Sequence, residues 1–139
     1  MAYRFSEAAA AIGITEAALR NWMTRNKLDL FEERPEGGWR TFSENDVLVL
    51  ALAAKLVTFG AKVDEAVQAA GIALANVNFS TMAGLPRYYW AAPSRFGGWH
   101  VDADEGMTLH QAADGGAAAI RIAPTMVLAG ALKLLRAAG

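Results

Sequence analysis

The chain has 139 residues, a formal net charge of −1 and no cysteine, which excludes disulfides, thiolate zinc sites, iron–sulfur ligation and thiol redox sensing. Its 54% hydrophobic share suffices for a packed core, while no apolar run is long enough to cross a bilayer and the start lacks a signal peptide's basic and apolar regions. A cytoplasmic protein without membrane contact is expected, and any attraction to nucleic acid has to come from a local basic patch.

The first segment reads as two short helices around a tight turn. Ser6 precedes "EAAAAI" as an N-cap before strong helix formers, and Gly13 stands where a helix end needs a left-handed residue. Thr15 then caps a second helix running from Glu16 to about Asn26. In "LDLFEERPEGGWRTFS", Pro35 and Gly37–Gly38 mark a turn between Leu30–Phe31 and Trp39–Phe42, which predicts a two-stranded ribbon, or wing. Ser43, with Asp46 three residues on, caps a third helix that ends at Gly60. Between Val47 and Phe59 only Lys55 and Thr58 are polar, so this helix must be covered on more than one side, by the remaining chain or by a second subunit. "VDEAVQAAG" predicts a fourth helix ending at Gly71, and "IALANVNFSTMAGLP" reads as connecting sequence.

From Arg87 onward, "RYYWA", "GWHVDA", "MTLHQA" and "AAIRIA" read as an antiparallel meander. A hairpin loop at Asp104–Gly106 would pair Ala103 with Met107, Val101 with Leu109 and His100 with His110. Val101, Leu109, Ile120 and Ile122 would then share one face, and His100, Asp102, Thr108, His110 and Arg121 the other. Two histidines without a third ligand make a solvated sheet face a better expectation than a metal site. Pro124 opens a terminal helix whose Val127, Leu128, Ala131, Leu132 and Leu135 can pack on the sheet or on a partner.

On the second helix, Ala18, Leu19 and Trp22 form a stripe suited to the core. Ala17, Arg20, Asn21 and Thr24 lie towards the other side, with Arg25 and Lys27 beyond. No acid occurs from Ala17 to Leu28, so this face is locally basic. Arg can take guanine O6 and N7 in a fork, Asn can take adenine N6 and N7, and Thr can meet a phosphate or a thymine methyl. Against this, Arg20 follows Glu16 by four residues and could form only a surface pair, worth about 0.3 kcal/mol.

The stretches "AAAAIGI", "TEAALRNWMTRNKL", "RPEGGWRTFS" and "NDVLVLALAAKLVTFG" stand in an order and at a spacing that resemble the winged helix-turn-helix of the MerR family of transcription regulators. The resemblance covers residues 3–60. A related domain occurs in phage excisionases and some terminase small subunits. The resemblance implies a recognition helix in the major groove and a wing on the DNA backbone. The implied contacts are Thr15, Ala17, Arg20, Asn21, Thr24, Arg25 and Lys27, with Trp39 and Arg40 in the wing. It also places Trp22 in the core. Glu32, Glu33 and Glu36 crowd that wing with negative charge, so they either face away from DNA or weaken its grip.

The expected fold class is therefore α+β, mainly helical: a winged helix-turn-helix over 1–71, then a small antiparallel β-meander and a C-terminal helix over 72–139. The long heptad helix through which such regulators dimerise is missing, so the second part is read either as a surface for self-association or a protein partner, or as cover for the third helix. Tyr88, Tyr89, Trp90, Phe96 and Trp99 could line a pocket or interface, or fill a small core. No nucleophile elbow, phosphate-cradling loop or H-E-x-x-H is present, and the expectation is a non-enzyme without cofactor. Double-stranded DNA is the expected partner, bound by a homodimer on two half-sites. The alternatives are a phage-type recombination or packaging factor, and an interaction module that has lost DNA binding.

Overall fold

The computed structural model describes residues 2–25, 41–104, 108–112 and 119–138. In chain order the elements are β1 (Ala2–Tyr3), α1 (Phe5–Ile12), α2 (Glu16–Arg25), β2 (Phe42–Ser43), α3 (Glu44–Thr58), α4 (Val63–Leu74), β3 (Tyr89–Pro93), β4 (Trp99–Ala103), α5 (Leu109–Ala112), β5 (Ile120–Ile122) and α6 (Pro124–Ala138). The α+β, mainly helical class holds.

The start of α1 differs from expectation. Arg4, not Ser6, is the N-cap, in extended conformation, and Glu7 reaches back to the Arg4 backbone N–H at 3.1 Å and to its Nε at 3.1 Å. The helix begins earlier because Phe5 is already buried, with its ring edge-on to Phe42 at 5.1 Å. At the other end Gly13 adopts φ 89° and donates to the Ala9 carbonyl at 2.9 Å, a left-handed cap that only glycine takes without strain. Thr15 Oγ1 then accepts the Ala18 N–H at 3.0 Å and opens α2.

β1 pairs antiparallel with β2, Tyr3 opposite Phe42, so the strand before α1 is tied to the strand that feeds α3. The predicted turn of the wing lies in 26–40, outside the described residues. Ser43 caps α3 through the Asp46 N–H at 3.1 Å, and Asp46 returns the bond to the Ser43 N–H at 2.9 Å. Val47, Leu48, Leu50, Ala51, Leu52, Ala53 and Leu56 are buried around the whole of α3. Its cover comes from α1, α4 and α6, all of the same chain.

The fourth helix does not stop at Gly71 but runs on to Leu74. A mid-helix glycine costs about 1 kcal/mol against alanine. Burying Leu74, which is 2% exposed, gains about 1.5–3 kcal/mol and outweighs it.

The sheet also corrects the expectation. Its strand order is β4-β3-β5, all antiparallel, so the chain does not meander and β3 is central. Within "MTLHQA", the described Leu109–Ala112 form a helix, not a strand. Thr108 and Gln111 exchange hydrogen bonds of 2.9 and 3.2 Å that close the short helix α5, and its Ala112 is buried. Ala103, Val101 and His100 accordingly pair with Tyr89, Ala91 and Ala92, not with Met107, Leu109 and His110. The loop residues Glu105 and Gly106 lie outside the described residues. Val101, Ile120 and Ile122 do share the core-facing side, with Tyr89 and Ala91, while Asp102 and Arg121 are exposed on the other.

Helix α6 packs against α1 and α3, with Leu128, Ala131, Leu132 and Leu135 buried. One apolar cluster runs through α1, α2, α3, α4, the sheet and α6 without a break.

Candidate nucleic-acid interface

The second helix, α2, is held down by Leu19, which is fully buried, and Met23, with Ala18 and Trp22 half-buried beside them. Met23 was missed in the sequence reading, although its spacing of four from Leu19 marks the same stripe. Thr15, Ala17, Arg20, Asn21, Thr24 and Arg25 are all exposed. Lys27, Trp39 and Arg40 lie outside the described residues.

Arg20 is oriented rather than loose. Its Nη2 donates to Glu16 Oε1 at 2.9 Å, and the guanidinium carbon sits 4.2 Å from the centre of the Phe5 ring. Both side chains of this pair keep about half their accessibility, 46% and 45%. The surface pair weighed for Arg20 therefore exists, and it holds the arginine at the junction of α1, α2 and the β1–β2 ribbon. Glu16, absent from the predicted site, belongs to this surface. The ordinary i,i+4 rule was the signal for it.

The five aromatic residues do not converge. Tyr89 faces the core, 3% exposed, and its hydroxyl donates to the Ala73 carbonyl at 3.2 Å; burial pushes its pKa up. Trp99 packs on the same cluster. Tyr88 stacks under Arg121 at 3.9 Å, with Trp90 5.9 Å from the same guanidinium, and Arg121 pairs with Asp104 at 3.1 Å. Phe96 projects from the β3–β4 turn, 87% exposed, with the Arg95 guanidinium 5.2 Å from its ring. His100 Nε2 donates to the Ala112 carbonyl at 2.9 Å, which ties β4 to α5.

A helix-turn-helix whose second helix bares an arginine, an asparagine and a threonine, tied to the chain's start by the β1–β2 pair, has the form of a DNA-binding domain. Residues 3–70 match the family described as MerR HTH family regulatory protein, and this segment of the chain is a MerR-type helix-turn-helix domain. The match supports, in general terms, a DNA-binding regulatory role for this segment. No curated protein matches the chain. Among the described residues, no helix is long and apolar enough to cross a membrane.

Proposed function

We propose that the protein is a non-enzymatic, cytoplasmic transcriptional regulator that binds specific sequences in double-stranded DNA. Helix α2 enters the major groove, and the segment containing Trp39 and Arg40 rests on the backbone. The observation that carries this reading is the exposed stripe Ala17, Arg20, Asn21 and Thr24, fixed to the core by Leu19 and Met23 on its opposite side. Arg20 and Asn21 supply the two side-chain types that read guanine and adenine by paired hydrogen bonds. Ala17, lacking a long side chain, lets the backbone approach, and Thr15, Thr24, Arg25 and Lys27 serve the phosphates.

Residues 1–71 carry the DNA contacts in this reading. Residues 72–139 cover α3 and present the exposed Asp102 and Arg121 and the Phe96 turn to a second copy or a protein partner, giving a dimer on two half-sites. The test is selection of bound sequences from a random duplex pool, followed by titration of the preferred site. Arg20→Ala and Asn21→Ala are each expected to lose about 1–3 kcal/mol of discrimination at one base position. Unchanged selectivity in both would refute the site. General affinity with no preferred sequence would favour an architectural role of the recombination or packaging kind, and no binding at low salt would leave an interaction module.

A further inference from the structure

At the start of α2 the Glu16 carboxylate holds one edge of the Arg20 guanidinium, which lies over the buried Phe5 ring. From this juxtaposition we infer that Glu16 is a specificity-determining residue: it positions Arg20 for a base and bars it from a phosphate-only grip. The inference rests on the DNA-binding reading above and adds to it a residue outside the expected contact set.

The argument starts from Arg20's freedom. A long exposed arginine samples many rotamers and loses that freedom when it docks. Here the Glu16 carboxylate takes one Nη2 hydrogen at 2.9 Å, while the Phe5 ring supports the guanidinium from 4.2 Å. Phe5 is itself fixed, being 6% exposed and edge-on to Phe42. The guanidinium has five N–H donors, so a plane anchored on one edge still offers a fork on another. Pre-orientation of this kind favours the planar, two-acceptor edge of guanine, because less freedom is lost on contact.

The second effect is electrostatic. Glu16 lies in the first turn of α2, where backbone N–H groups and the helix dipole would otherwise draw a phosphate. Its negative charge opposes that contact on every sequence alike. It thus lowers affinity for arbitrary DNA more than affinity for a site in which Arg20 is satisfied by a base.

The test uses the full chain, its selected duplex and a scrambled duplex of the same length, titrated over a sodium chloride series. Glu16→Ala is expected to tighten binding to the scrambled duplex several-fold. The ratio of selected to scrambled affinity should fall about ten-fold or more, with the guanine preference relaxed at one position. Glu16→Gln removes the same charge but keeps an oxygen that can accept from Arg20. It should tighten scrambled binding equally while retaining more of the ratio. A wild-type ratio and base preference in Glu16→Ala would overturn the inference and leave the DNA reading intact. Equal loss of the ratio in both variants would overturn the positioning role. A wild-type protein with no preferred sequence would sink the DNA reading itself, and this inference with it.

Discussion

At Arg20 two neighbours of very different sequence distance decide what the side chain does. Glu16, one helical turn away, was visible in the spacing. Phe5, on another helix, was not, because nothing local requires an arginine on α2 to find a ring on α1. Glu7 is a simpler case. Its bonds to the backbone and side chain of Arg4 hold its pKa below the ordinary carboxylate value. A carboxyl held down in this way adds stability while ionised, in full above its unfolded pKa, and loses it as pH falls through the lowered folded value. Glu7→Gln is therefore expected to lower Tm at neutral pH and to flatten the fall of Tm on acidification, read by circular dichroism melts. An acid limb as steep as wild type would remove Glu7 from that role.

Among the elements, Gly13 and Gly71 carry opposite expectations. Gly13 closes α1 at φ 89°, whereas Gly71 sits within α4, where an added Cβ meets nothing within 4 Å. Gly13→Ala should destabilise the fold by about 1 kcal/mol, because alanine resists the left-handed conformation. Gly71→Ala should stabilise it by about 0.4–1 kcal/mol, by restricting the unfolded chain at no steric cost. Urea titration of the pair measures both, and equal signs would contradict the assignment of one as a cap and the other as helix interior. The same glycine type had suggested a helix end at both places. Only the buried Leu74 beyond Gly71 distinguishes them, and its burial depends on how α4 meets the rest of the fold.

Across the whole molecule, α6 closes the face of α1 and α3 and extends the cluster that also anchors α2. Its Leu135 is fully buried, and Arg136 approaches Glu44 at the start of α3 within 3.8 Å. Leu135→Ala is expected to cost about 2–5 kcal/mol, seen as a lower urea midpoint with DNA selectivity unchanged in the fraction that remains folded. Tryptophan fluorescence and far-ultraviolet circular dichroism should report one coincident transition, since the apolar cluster is continuous. An earlier separate transition of the C-terminal part would show that α6 contributes little to holding the recognition helix.

What the sequence by itself determined is what closes within one helical turn. The caps at Thr15 and Ser43 and the left-handed Gly13 could be read directly, as could Pro124 at the start of α6 and the two sides of α2. Each depends on hydrogen bonds or sterics among neighbours a few residues apart. The cap at Arg4 was missed, because it depended on where Phe5 is buried. The tertiary structure alone decided the strand order β4-β3-β5, the helical turn at Leu109–Ala112, the seat of α6 on α1 and α3, and the Phe5 ring beneath Arg20. Apolar burial is non-directional and roughly proportional to area, so one alternating pattern suits several partners. Which partner it meets is settled only when all the faces are covered together.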